Sequence, residues 1–278
     1  MGKGAYRLME SGAAAITSPL RGVLIGSGAV ASALAPALER GGKVVWEQVY
    51  SPTLAHAQWL ADELRDAGAT NNVKAVFSDA DIYLVSVKDD AIAAVAQQFP
   101  HNNAAWMHTS GGVPADALAP LSPNFGVFYP LQTFSKGVEV SMDCVPMFVE
   151  GSNEPTENII RSLAESIAKS VVHADSELRK RLHCAAVFAC NFTNHLWSVA
   201  DSILREHPGL DITYLEPLLK ETLRKAMTVA PIMAQTGPAR RGDTAVMERH
   251  KAMLSPDDAA LYDYLSTRIM KQYELDKL

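Results

Sequence analysis

The segment Val23-Leu24-Ile25-Gly26-Ser27-Gly28-Ala29-Val30-Ala31 constrains this chain most. An apolar run of strand type leads directly into G-x-G-x-x-A. Val30, Leu34 and Leu38 then recur at helical spacing until Gly41-Gly42 ends the pattern. Strand, glycine turn and helix in that order open a β-α-β unit. The first glycine permits the tight turn, the second lets a pyrophosphate approach the backbone, and a small third residue lets the helix pack closely on the strand. Free N–H groups of the first helical turn and the positive end of its dipole then face the phosphates. Gly26, Ser27, Gly28, Ala29 and Val30 are therefore candidate dinucleotide-binding residues. The bland alternative is an ordinary glycine turn, and the position after a first strand favours the dinucleotide.

The alternation continues downstream. Val44-Val45-Trp46 starts a second strand, and Leu54, Ala57, Ala61 and Leu64 mark a helix ending near Gly68. Ala75-Val76-Phe77 reads as a third strand and Ile82 to Val87 as a central strand buried on both faces. Asp89-Asp90 is expected to cap a helix carrying Ile92, Val95, Ala96 and Phe99. Ala104 to Met107, Phe125 to Tyr129 and Val145 to Val149 are further strand candidates. After Asp175 strands disappear, and helical patterns near 176–206, 211–230 and 256–275 take over. At 278 residues the chain is long enough for two cores. The expected fold is an α/β Rossmann domain, a doubly wound and mostly parallel sheet, over residues 21–175. A smaller all-α substrate and dimerisation domain follows over 176–278, and residues 1–20 form an N-terminal preamble with no assigned role.

Charge and cysteine usage exclude several function classes. The formal net charge of −6 leaves no broad basic footprint for nucleic acid or anionic lipid, so the expected ligand is a small molecule. The three cysteines, Cys144, Cys184 and Cys190, form no C-x-x-C pair, which argues for reduced thiols and a cytoplasmic setting. No apolar run reaches the roughly 18 residues of a membrane span, and the first residues lack a secretory signal pattern. The eight histidines show no H-x-x-x-H or H-E-x-x-H spacing, so no metal site is expected.

Selectivity between NAD and NADP is read at the end of the second strand, where NAD enzymes usually place Asp or Glu for the ribose 2′-hydroxyl. Here the strand end reads Val49-Tyr50-Ser51-Pro52-Thr53, with hydroxyls instead of a carboxylate that would repel a 2′-phosphate. Tyr50, Ser51 and Thr53 join the candidate cofactor residues, as do Val87 and Lys88 at the end of the central strand. This favours NADP. NAD stays open, because no arginine sits in the turn and Glu47 would serve as the acid in a shifted register.

Further downstream, His108-Thr109-Ser110-Gly111, Gly126 to Lys136, Leu182 to Phe188, Asn191 to His195 and Gln235 to Asp243 form a set of long motifs. Together they resemble a bacterial family named for NADP oxidoreductase activity, with a Rossmann-like N-terminal domain and a helical C-terminal domain of unknown function. The resemblance spans roughly residues 21–275. The wider superfamily to which it is similar includes pyrroline-5-carboxylate reductase, 6-phosphogluconate dehydrogenase-like enzymes, prephenate dehydrogenase and the 3-hydroxyacid dehydrogenases. The resemblance implies a homodimer formed through the helical domain, and oxidation or reduction at C=O, C=N or C–OH beside a nicotinamide. Two departures stand out. The family's second strand commonly ends in Ser-Arg where this chain has Ser51-Pro52. Hydroxyacid dehydrogenases keep a lysine four residues before an asparagine, where this chain has Val187 before Asn191.

The chemistry is assigned to residues beyond the strand ends and on the first helix after Asp175. His183, Val187, Asn191 and Asn194-His195 recur near helical spacing, placing polar groups on a stripe of a helix whose apolar residues predict burial. Hydride transfer needs a proton for the developing anion, and histidine, with an ordinary pKa near 6.5, is the natural donor. His183 ranks first, with Asn191 hydrogen-bonding the substrate oxygen. A satisfied interior histidine, an interface contact or a helix-to-helix bond is the competing structural role. In open α/β sheets ligands sit beyond the carboxyl ends of strands, so the loops starting at His108 and Tyr129 should rim the nicotinamide. His108 and Ser110 are further catalytic candidates. Thr109, Gln132, Asn194, His195, Gln235, Arg240 and Arg241 are substrate-binding candidates, the arginines as anion clamps if not a solvated surface.

The expected function is hydride transfer between NADP and a small carbonyl, imine, hydroxy or amino compound, an acid by preference. Two rivals remain: an NADP-binding sensor without catalysis, and an S-adenosylmethionine-dependent methyltransferase, which also uses a glycine loop after a first strand.

Overall fold

Strand β1 (Leu20–Ile25) carries almost no polar side chain because it lies buried between two layers of helices. The computed structural model describes residues 18–274, so most of the N-terminal preamble lies outside the described residues. Successive elements of the first unit are α1 (Ala29–Arg40), β2 (Val44–Tyr50), α2 (Leu54–Ala61), β3 (Gly68–Thr70), β4 (Ile82–Val85), α3 (Asp89–Gln98), β5 (Ala105–His108) and β6 (Phe125–Pro130). They continue with β7 (Met147–Gly151), α4 (Glu154–Glu165), β8 (Val171–His173) and α5 (Ser176–Ala186).

The eight strands form one sheet in the order β3-β2-β1-β4-β5-β6-β7-β8. All neighbours are parallel except β6 and β7, where Phe128 lies opposite Val149. The first six strands have the doubly wound Rossmann order, and the direction of winding reverses between β1 and β4. Side chains alternate between the two faces. Leu24, Leu84 and Met107 enter one core with Leu34, Leu38 and Trp46, whereas Val23, Ile25, Tyr83 and Trp106 enter the other, where Tyr83 stacks on Trp106 at 4.1 Å.

Three local readings are corrected by the fold. Residues Val73–Ala75 form a 3₁₀ turn, and the third strand is Gly68–Thr70, whose pairing partner is β2 at Gln48–Tyr50. The short helix α2 stops at Ala61 and leaves Gly68 free to start that strand. Lys88 occupies the N-cap of α3, and Asp89 and Asp90 stand in its first turn, where their charge suits the helix dipole.

The chain divides into two compact units, the first ending at Phe188 and the second beginning at Ala189. The break falls downstream of Asp175 because the first turns of α5 are anchored to the sheet. Arg179, fully buried, pairs with Glu150 of β7 and donates to the carbonyls of Ala174 at 2.8 Å and Val113 at 3.2 Å.

Between α5 and α6 (Thr193–Arg205) residues Val187–Phe192 are π-helical. A π-turn bonds i to i+5, so the i, i+4, i+8 spacing expected of His183, Val187 and Asn191 does not run through it. The second unit continues with α7 (Glu216–Val229), α8 (Pro231–Ala234), α9 (Pro238–Arg241), α10 (Thr244–Lys251) and α11 (Pro256–Glu274). Its buried apolar residues among those described are few, namely Ala239, Met247 and Tyr273. Among the described residues no helix is long and apolar enough to cross a membrane.

Candidate active site at the carboxyl ends of the strands

The turn after β1 has the geometry that phosphate binding needs. Gly26 adopts φ +106°, and a Cβ there would stand 2.1 Å from the Ser86 carbonyl oxygen, so only glycine fits. Its N–H donates to the Tyr50 carbonyl at 2.9 Å, and the Ser86 N–H donates to Ile25 at 2.7 Å, which locks the turn between β2 and β4. Gly28 is different. It has φ −79°, and a Cβ added there meets nothing within 4 Å, so the space in front of it is open. Gly28 is the N-cap of α1 and provides no side chain to the first-turn N–H groups of Ala29, Val30 and Ala31. A cradle of free N–H groups facing open space fits a pyrophosphate. Val87 lies against the turn, 3.1 Å from the position of a Gly26 Cβ, and Lys88 is exposed beside it.

The end of β2 holds no free carboxylate. Glu47 lies three residues before the strand end and accepts from Arg21 Nε at 2.7 Å, so the shifted register in which it would take a ribose hydroxyl does not occur. The Tyr50 ring is buried edge-on against Phe99 at 5.4 Å and its carbonyl is occupied by Gly26, so this residue shapes the turn from below. Ser51 is also buried, its N–H bonded to Thr70, and Thr53 is the exposed N-cap of α2.

His108 ends β5 with no solvent exposure. Its Nδ1 accepts from the Ser110 N–H at 3.2 Å, so the ring proton lies on Nε2 and is donated to the Pro114 carbonyl, also at 3.2 Å. Burial pushes its pKa down to about 4, the Pro114 carbonyl opposes this, and the Arg179 charge adds to it. At neutral pH His108 is an uncharged strut, out of reach of a substrate, and its expected role as a catalytic group gives way to one in shaping the loop. Ser110 Oγ accepts from the N–H groups of Gly112 and Val113 at 3.1 and 3.0 Å, a Ser turn that orders the same loop. Thr109 is half-buried and its hydroxyl donates to Ser86 Oγ at 3.3 Å, joining the β5 loop to the β4 end.

His183 meets a partner that the sequence reading did not select. Its Nδ1 lies 3.2 Å from the hydroxyl oxygen of Tyr129, the penultimate residue of β6, with the two rings edge to face. Tyr129 is buried, and burial together with the Asp89 charge raises its pKa, so the phenol is neutral throughout the physiological range. The signal available beforehand was positional: an aromatic hydroxyl at the carboxyl end of a strand.

The remaining candidates stand in exposed positions. Phe188, Phe192 and Leu196 are 66, 51 and 39% exposed, so the helix expected to be buried presents its apolar residues outward, with Asn191, Asn194 and His195 likewise exposed. Gln132 is exposed and accepts from the Thr133 N–H at 2.8 Å. Gln235 donates to the Thr236 carbonyl at 2.9 Å. The Arg240 guanidinium stacks 4.0 Å from the Tyr273 ring, which costs it nothing as a donor, and Arg241 is exposed. The Gln235–Asp243 motif contains the short helix α9.

Against this geometry stands a solved relative. A protein of Bacteroides fragilis named as a putative NADP oxidoreductase is 40% identical, with 91% of this chain and 98% of that one covered and a TM-score of 0.85. This chain belongs to that NADP oxidoreductase family. The family model described as NADP oxidoreductase, coenzyme F420-dependent, matches residues 22–106, and a domain of unknown function matches residues 145–269. The second match begins within the last part of the sheet, so the two family segments do not coincide with the two compact units. A Thermotoga maritima protein shares the fold at 21% identity and a TM-score of 0.72, covering 91% of this chain and 99% of its own. Pyrroline-5-carboxylate reductase from Streptococcus pyogenes does so at 15% identity and a TM-score of 0.57, with 91 and 99% covered. No curated protein matches the chain.

Proposed function

We propose that this member of the family transfers a hydride between NADP and a small carbonyl, imine, hydroxy or amino acid substrate, with His183 as the proton donor. The observation that carries the reading is the open cradle at Gly28 together with an imidazole held by Tyr129, at the carboxyl ends of β1 and β6 in one mostly parallel sheet. When bound, the nicotinamide supplies or accepts the hydride. The backbone of residues 26–31 holds the pyrophosphate, and Ser51 with Thr53 leaves room for a 2′-phosphate where no carboxylate repels it. NAD is the alternative cofactor. The loop of Thr109 and Ser110 borders the reacting end, and His183 delivers a proton to the oxygen or nitrogen on which charge develops.

A second copy of the chain is the proposed partner of the helical unit. Leu218, Leu223, Met227 and Met233 there are 62, 62, 73 and 75% exposed, apolar side chains that a partner subunit would cover. Sedimentation velocity should show a dimer at micromolar concentration, and a monomer would remove this part of the reading.

The functional test is titration of the full chain with NADPH, followed by turnover with a panel of 2-oxo acids and cyclic imino acids. His183→Ala should lower turnover about 10²–10⁴-fold while NADPH affinity stays within about twofold. Wild-type rates in that variant would remove His183 from the mechanism, and a chain that ignores NADPH would end the oxidoreductase proposal.

A further inference from the structure

Buried hydrogen-bond donors as a rule find an acceptor, and this indicates which way the proton points between Tyr129 and His183. Tyr129 is 7% exposed, and among the described residues its hydroxyl has one hydrogen-bond partner, Nδ1 of His183. If a neutral His183 carried its proton on Nδ1, the phenol O–H would be left with no acceptor. The phenol therefore donates, Nδ1 accepts, and the imidazole proton sits on Nε2 of an exposed side chain.

We propose that Tyr129 and His183 form a two-proton relay, in which Tyr129 sets the Nε2–H tautomer of His183 and replaces the proton that His183 gives to the substrate. This rests on the oxidoreductase reading above. As the carbonyl carbon receives hydride, the π pair moves to the oxygen and that oxygen takes the proton from Nε2. The N–H bonding pair stays in the ring, Nδ1 takes the phenol proton, and the negative charge ends on the Tyr129 oxygen. A proton from water at Nε2 and return of the Nδ1 proton to Tyr129 restore the pair. An alkoxide is a stronger base than a phenolate, so the transfer runs downhill. Tyr129 acts through His183 and is a positioning residue; Gly111 gives its ring the room, since a Cβ at Gly111 would stand 2.8 Å from the hydroxyl.

The test needs no substrate. Long-range ¹H–¹⁵N spectra of the labelled full-length chain at about pH 8, where an ordinary imidazole is neutral, report the tautomer of each histidine ring. The signal of His183 is identified by its loss in His183→Gln. Wild type should show Nε2 protonated and Nδ1 bare, and in Tyr129→Phe the tautomer ratio should fall about fivefold, the equivalent of one ordinary hydrogen bond. A wild-type Nδ1–H majority, or an unchanged ratio in a folded Tyr129→Phe, overturns the relay. Should that variant fail to fold, the wild-type ratio is compared with that of free N-acetylhistidine amide at the same pH, and an Nε2–H excess no larger than in that compound overturns the relay. NADPH titration of the same sample separates the two proposals. Without NADPH binding the functional reading fails whatever the tautomer, whereas NADPH binding with the wrong tautomer fails the relay alone.

Discussion

Gly111 lies so close to Tyr129 that a Cβ added to the glycine would stand 2.6 Å from Cζ of the ring. That approach lets the β5 loop pass beneath the phenol while its hydroxyl reaches His183. Gly111→Ala should therefore push the ring aside and stretch the Tyr129–His183 bond, at a stability cost of about 1–3 kcal/mol for the overpacking. Urea unfolding gives the cost, and the His183 ring spectrum gives the displacement. An alanine variant of wild-type stability and unchanged spectrum would show that the loop yields instead.

The two glycines of the phosphate turn should separate folding from binding. Gly26→Ala combines φ +106° with a clash on the Ser86 carbonyl, and is expected to cost about 2–3 kcal/mol or more. Gly28→Ala adds a methyl to open space in an ordinary backbone conformation, so the melting temperature should hold while NADPH affinity drops about tenfold or more. Calorimetry for stability and fluorescence titration for NADPH measure the two effects. Equal NADPH affinity in Gly28→Ala would mean that the phosphates lie elsewhere.

His108 should make the protein acid-sensitive. Its folded pKa of about 4 lies below the ordinary histidine value, so the unfolded chain binds the extra proton first as pH falls. Stability from this group is complete above about pH 6.5 and declines between there and about pH 4, by on the order of 3 kcal/mol. His108→Gln keeps a donor for Pro114 without a titrating ring, and should flatten that segment of the stability–pH curve measured by thermal unfolding. A curve of the same slope would place the acid sensitivity in other groups.

Arg179 ties α5 to β7 and to the loop at Val113, and its replacement should loosen all three. Arg179→Met leaves Glu150 without its cation and the Val113 and Ala174 carbonyls without a donor. Loss of one partner of a buried pair costs about 3–5 kcal/mol, readable as a lower urea midpoint. Hydrogen exchange should quicken first in the His108–Val113 loop and the first turns of α5. Protection lost evenly over the sheet would show that Arg179 is no local clasp.

The amino-acid order alone determined the features that depend on near neighbours. A period of two for strands, of three to four for helices and a glycine where only positive φ serves are short-range physics, so most of the sheet, α1 and the Gly26 turn were legible without coordinates, while β3 and β8 were not. Where local signals conflict the reading failed, as at Ala75-Val76-Phe77, whose apolar run resembles a strand, whereas β2 pairs with Gly68–Thr70. The identity of partners is a long-range property. Tyr129 and His183 are 54 positions apart, His108 is neutral because the fold encloses it, and Glu47 is unavailable because Arg21 holds it. Only the tertiary structure decides such matters, because burial and proximity across the sheet set the charge, tautomer and reach of a side chain, and no spacing along the chain encodes them.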